Sequence, residues 1–158
     1  MASYHQGTYE PKNREKYIGK YPLYYRSSWE LTYFQVLDSN PAVIQWASES
    51  IKIPYLHPFT GKYANYIPDL LIIYLNKDLQ QIAELIEIKP LRETLQEYAK
   101  TKNDLINLTI NKVKWQAAQE FCQMKGLKFR VMTEEQLFGS KNKPKKSTPK
   151  NRRTRKKK

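Results

Sequence analysis

Pro68-Asp69-Leu70-Leu71-Ile72-Ile73-Tyr74-Leu75-Asn76-Lys77-Asp78 passes from a proline–acid pair through a largely apolar run into turn chemistry, and Gln81 to Lys89 returns with Glu87-Ile88-Lys89-Pro90 at its end. An apolar run without alternation reads as a strand buried on both faces. Asn76-Lys77-Asp78 supplies turn residues, and Pro90 closes the returning strand. Positions 69 and 87 are equidistant from Asp78. A symmetric antiparallel hairpin therefore sets Glu87 opposite Asp69, with Cβ atoms about 5 Å apart. Period two brings Lys89 to the same face as Glu87.

Two carboxylates that close repel each other, and one takes up a proton unless a cation lies between them. Asp69 also borders the most apolar strand of the chain, where an unpaired charge is costly. Two hard oxygen ligands and an ammonium at the end of a sheet suit Mg²⁺, which keeps several waters and binds phosphate oxygens. Such an ion stabilises charge on a phosphate and activates water, so the pattern fits phosphodiester hydrolysis. The plainer alternatives are a turn aspartate at 69 and a solvated strand end at 87 and 89.

Outward from this hairpin, Ser27-Ser28-Trp29-Glu30 has the capping-box form, and Leu31, Phe34 and Leu37 follow at helical spacing. Asn40-Pro41 ends that helix. Val43 to Tyr55 contains strand-like stretches. Lys52–Leu56 and Tyr63–Ile67 flank the turn His57-Pro58-Phe59-Thr60-Gly61 and read as a second hairpin, with Pro54 at an edge. After Pro90, the pattern predicts a helix over 91–103 and a longer one from about Thr109 to Lys125, with Trp115, Ala118 and Cys122 along one stripe and Gly126 as its terminator. Leu127 to Met132 reads as a last strand, and Thr133-Glu134-Glu135-Gln136 as the start of a short final helix. The order is that of a mixed α/β domain with one sheet.

Pro68-Asp69, the apolar strand, the turn and Glu87-Ile88-Lys89 together resemble the signature of the PD-(D/E)XK nuclease superfamily. Glu-x-Lys alone is weak, since Glu10-Pro11-Lys12 matches it too; the surrounding elements make the pattern demanding. The resemblance implies a restriction-endonuclease-like αβββαβ core, a central mixed sheet flanked by helices, over 27–138. It implies Asp69, Glu87 and the Ile88 carbonyl as metal ligands, Lys89 as the group acting on water, and Glu30 as an outer ligand or organiser. Glu30 is also explained as the capping acid of its helix, and the two roles are compatible. Mg²⁺ is the implied cofactor, with Mn²⁺ as a substitute. Lys112, Gln116 and Gln119 share one helix face, either touching DNA as in other superfamily members or simply solvated. His57 lies in a loop able to approach DNA, and Cys122 reads as core.

Within the superfamily, the start at Arg26 to Glu30, the Asn40-Pro41 break and the stretches around Ile53-Pro54-Tyr55 and Tyr66-Ile67-Pro68-Asp69 are most similar to the head completion nucleases of T-even-like tailed phages. They are also similar to transposon end-cleaving endonucleases. This implies a Mg²⁺-dependent DNA nuclease of virion assembly that trims packaged DNA before head–tail joining. Its setting would be the cytoplasm of an infected host or the virion, with portal or neck proteins as partners. The alternatives are a transposon-end or recombination endonuclease, and a DNA-binding structural protein that has lost the chemistry.

The 158 residues carry 28 Lys plus Arg against 15 Asp plus Glu, a net of +13. From Lys141 to Lys158 there are 11 basic residues and no acid, leaving 17 basic against 15 acidic residues, a net of +2, for the rest. The basic run at 139–158, with Lys145, Lys146, Arg152, Arg153, Arg155 and Lys156, reads as a disordered DNA-contacting tail that releases counterions without reading sequence. Residues 1–26 hold six of the twelve tyrosines among five Lys and Arg; this arm reads better as packed across its own domain than as a base-stacking platform. One cysteine excludes an internal disulfide and any multi-thiolate zinc site. The longest apolar run is too short to cross a bilayer and no secretory leader is visible, so a soluble protein of a reducing compartment is expected.

Overall fold

The computed structural model describes residues 6–133. In chain order these form β1 (Gly7–Thr8), β2 (Tyr24–Tyr25), α1 (Ser28–Ser39), β3 (Val43–Ser48), β4 (Ile53–Leu56), β5 (Tyr63–Tyr66), β6 (Leu70–Leu75), β7 (Gln81–Ile88), α2 (Lys102–Lys125) and β8 (Lys128–Met132). The main sheet has the order β3-β6-β7-β8, antiparallel except for the parallel β7–β8 pair. This is the expected mixed α/β architecture, with β6 and β7 at its centre, but the expectation of one sheet is incomplete, since β1–β2 and β4–β5 form two separate two-stranded sheets.

The β6–β7 register pairs Leu70 with Ile86 and Leu75 with Gln81, which is the symmetry about position 78 that the sequence requires. The turn is pinned by Asn76, whose Oδ1 accepts from the amides of Asp78 and Gln80. Both faces of the pair are covered. Leu70, Ile72 and Ile86 pack with Phe34, Leu37 and Trp46 beneath α1. Leu71 and Leu85 join Ile53, Tyr55, Tyr66, Ala118 and Cys122 beneath α2. Two apolar layers explain why β6 shows no alternation.

Helix α1 starts as expected, with Ser27 Oγ accepting from the Glu30 amide at 3.2 Å, and Asn40 caps its end. Strands β4 and β5 form the second hairpin, in the register Ile53 with Tyr66 and Leu56 with Tyr63. Gly126 ends α2 in the left-handed region, at φ 70°. The expectation of a helix over 91–103 is wrong. Two single 3₁₀ turns, Leu91–Glu93 and Gln96–Tyr98, stand there instead. Thr101 is extended and caps a reciprocal box with Asp104, so α2 begins at Lys102 rather than near Thr109. A helix cannot run through the extended Ala99 and Thr101 that this cap demands. The expected helix after Thr133 and the basic tail lie outside the described residues.

Residues 6–26 lie against the body. Tyr17 is buried on Trp46, with ring centroids 4.7 Å apart, and Leu23 is 3% exposed. Asp38, itself 2% exposed, accepts from the Tyr9 hydroxyl and the amides of Lys12 and Asn13 at 2.7–2.9 Å. Burial pushes the Asp38 carboxyl up, but these donors outweigh it and hold it below its ordinary range.

Candidate active site

The ends of β6 and β7, the start of α1 and the turn after Pro90 enclose a cleft of about 300 Å³, lined among others by Glu30, Asp69, Glu87, Ile88, Lys89 and Arg92. Residues as far apart in sequence as Glu30 and Lys89 thus meet at one rim of the sheet. Each arrives by a local rule: Glu30 as third residue of a capped helix, Asp69 at the entry to the apolar strand, Glu87 and Lys89 by alternation at the exit of its partner.

Asp69 and Glu87 are held by backbone donors and by one phenol. Asp69 Oδ2 accepts from the Ile88 amide at 2.7 Å. Glu87, 7% exposed, accepts from the Tyr66 hydroxyl at 2.9 Å in a buried bond. Lys89 Nζ lies 3.7 Å from Glu87 Oε1. Glu30 Oε2 accepts from the Arg26 amide at 2.6 Å, one residue before the amide a capping box uses.

The electrostatics follow from burial. Desolvation, then the facing Glu87 charge, pushes Asp69 up to about 8, against the pull of the Ile88 amide and Lys89. Burial also raises Glu87, opposed chiefly by Lys89 and the Tyr66 hydroxyl. Glu30 is raised by burial as well, against its bond to the Arg26 amide. Three acids that all resist ionisation at one rim form a site in want of positive charge. Among the described residues, no three His, Cys, Asp or Glu side chains are drawn into a preformed metal cluster. The groups at the rim able to hold a cation are instead two facing carboxylates, with the Ile88 carbonyl next to Glu87 in sequence. Such a set leaves several positions to water and phosphate, as Mg²⁺ requires and tight all-protein sites do not.

The structure also brings in residues that the sequence reading missed. Lys114 Nζ lies 5.6 Å from the Tyr55 ring centroid and 5.8 Å from that of Tyr66, and its charge acts on Glu87. A signal existed. Lys114 is a cation in the i, i+4 stripe that continues through the buried Ala118 and Cys122. Lys112, Gln116 and Gln119 lie on other faces of α2, exposed, and none lines the cleft. Gln116 bonds to Glu120 at 3.2 Å, and Gln119 borders a groove with Lys128 and Arg130. Lys145, Lys146, Arg152, Arg153, Arg155 and Lys156 are outside the described residues. His57 turns its Nδ1 onto the Phe59 and Thr60 amides of its own loop.

A mixed sheet with α1 on one face, α2 on the other and acids at the strand ends defines a restriction-endonuclease-like fold. The family model described as TnsA-like endonuclease N terminal matches residues 40–134, which takes in Asp69, Glu87 and Lys89 and begins after Glu30. The head completion nuclease of Enterobacteria phage T4 is 38% identical over 144 residues, across 84% of this chain and 93% of that protein. The chain belongs to the TnsA-like endonuclease family, and it is a nuclease. Nucleases of this family are generally dependent on a divalent metal. Among the described residues, no helix is long and apolar enough to cross a membrane.

Proposed function

We propose that this nuclease hydrolyses DNA phosphodiesters at the cleft between α1 and the β6–β7 hairpin, and that it completes filled phage heads by trimming protruding DNA before tail joining. The observation that carries the chemistry is the convergence of Asp69, Glu87 and Lys89 at one rim, with the two carboxylates facing each other. The setting in virion assembly is supported by the similarity to the phage T4 protein. Portal or neck proteins are the partners this setting calls for.

Asp69, Glu87 and the Ile88 carbonyl would hold Mg²⁺, with Mn²⁺ as a substitute. The ion supplies charge stabilisation at the phosphate and a more acidic water. Asp69 and Glu87 act as ligands only when ionised, so the cation and the proton compete for the same oxygens. The Ile88 amide and the Tyr66 hydroxyl fix the orientation of the two carboxylates before DNA arrives. Lys89, adjacent to Glu87, orients the attacking water or accepts its proton, and its charge faces the phosphate. Glu30 stands at the helix end of the cleft, held by the Arg26 amide, where it organises outer water.

The test is incubation of linear and circular plasmid with the full chain in Mg²⁺ or EDTA, beside Lys89→Ala and Asp69→Asn. Cleavage in Mg²⁺ alone, lost in both variants with unchanged far-UV circular dichroism, is the expected result. Equal cleavage by either variant, or cleavage in EDTA, overturns the assignment.

A further inference from the structure

Residues 50–68 contain no acidic side chain, in a body that is otherwise close to charge balance. This stretch forms the β4–β5 hairpin, which packs on α2 through Ile53, Tyr55 and Tyr66. Alternation turns the opposed pair Leu56 and Tyr63 outward, 49% and 79% exposed, and the tip holds Phe59 at 58%. Lys52 and Lys62 are exposed on the same hairpin. Exposed aromatic surface with cations and no acid is poorly matched to water and well matched to bases flanked by phosphates.

The tip is built rather than slack. His57 Nδ1 accepts from the amides of Phe59 and Thr60 at 3.2 Å. The His57 amide donates to the Lys62 carbonyl at 2.9 Å, and the Gly61 amide to the His57 carbonyl at 3.0 Å. Gly61 takes φ 67°, which an L side chain rarely adopts. Holding Phe59 outward on an ordered loop removes part of the entropy cost of binding something there. The hairpin is also continuous with the cleft, because β5 runs through Ile67 and Pro68 into Asp69 while Tyr66 bonds to Glu87.

We propose that the outer face of the β4–β5 hairpin, through Phe59 and Tyr63, stacks unpaired bases next to the cut, so that DNA with single-stranded character is the preferred substrate. The proposal deepens the nuclease reading of the cleft and rests on it. Tyr63 lies three residues along β5 from Tyr66, about 10 Å at roughly 3.4 Å per residue. That span corresponds to about three stacked nucleotides. Bases in an intact duplex offer no free face at that distance, whereas an overhang, flap or gap does.

The test uses the full-length chain in EDTA, so that binding is read without cleavage. Affinity is measured for one sequence as a blunt duplex and as the same duplex with a three-nucleotide overhang, with wild type and Phe59→Ala/Tyr63→Ala. Both side chains are exposed, and a thermal melt checks the fold. The overhang should tighten wild-type binding about tenfold or more, and the double variant should lose that gain while keeping blunt-duplex affinity. Equal affinity of wild type for both DNAs overturns the proposal. So does a double variant that binds both DNAs like wild type, the outcome expected if this face docks a protein, or one weakened equally on both. Failure of the cleft chemistry is read separately, as plasmid cleavage by Asp69→Asn.

Discussion

Tyr66→Phe removes one oxygen from behind Glu87 and leaves the packing of a residue that is 5% exposed. That oxygen donates to Glu87 Oε2 at 2.9 Å, in a bond that favours the ionised carboxylate. Burial and the neighbouring Glu87 charge push the phenol far above its ordinary value, so it serves as a fixed donor throughout the working pH range. A buried bond to a charged group contributes about 1.5–3 kcal/mol, and loss of a group that orients a ligand typically costs about 10- to 100-fold in metal affinity or activity. The sign on pH follows directly. Without the hydroxyl Glu87 holds its proton to higher pH, so the acid limb of the rate profile moves up and more Mg²⁺ is needed for half-maximal cleavage. The assay is plasmid cleavage against Mg²⁺ at several pH values. Half-saturating Mg²⁺ rising about tenfold or more, with partial recovery at high metal and alkaline pH, is the expected outcome. An unchanged metal requirement and acid limb would show that Tyr66 packs the core and does not prepare Glu87.

Asp38→Ala should loosen the N-terminal segment by removing the acceptor of three donors, at a cost of about 2–4 kcal/mol at neutral pH, read as a fall of roughly 5–15 °C in melting temperature. Because Asp38 is held below its ordinary value in the fold, its contribution is present above the unfolded value near 3.9 and lost as pH falls through the folded one. The two melting curves should therefore converge below about pH 4, and a gap constant with pH would refute the ion's role. Deleting residues 139–158 should weaken DNA binding and flatten its salt dependence by about 0.9 in log–log slope per lost phosphate contact. An unaltered slope would assign the tail another task. The Met132 carbonyl accepts from the Lys89 amide, so the last described strand ends beside the cleft.

The hairpin was legible because two local rules, a turn and period two, fix the partners of every residue between Asp69 and Lys89. No tertiary knowledge is needed to place Glu87 opposite Asp69. The same holds for α1, whose start at Ser27 and stop at Asn40 are each set by residues in contact. The segment after Pro90 was misread for a related reason. Its controlling signal is a capping box with Asp104 in place of the usual glutamate or glutamine, and the apolar residues before it mimic a helical stripe. Tyr66 and Lys114 were missed because their roles exist only between elements. Tyr66 meets Glu87 through the packing of one hairpin against the other, and Lys114 meets the Tyr55 and Tyr66 rings through the docking of α2 on β4.

The contrast between Glu84 and Glu87 supports the proposal that the rim is a functional site and not a structural ion pair. Both acids are 7% exposed and both stand on β7, three residues apart. Glu84 meets the Arg130 guanidinium at 3.2 Å, a single compensated charge of the kind sheets tolerate. Glu87 instead faces a second carboxylate, and its ammonium partner is farther off, at 3.7 Å. Apolar residues at 69 and 87 would extend the layer of Leu71 and Leu85 under α2 and remove the repulsion, so nothing in folding asks for acids there. On the proposed reading a divalent cation would reverse the balance, since each carboxylate would become a ligand and the charge that burdens the fold would be neutralised. On that account, Asp69→Asn should raise the melting temperature in EDTA while abolishing cleavage in Mg²⁺, a trade that a purely structural acid cannot produce.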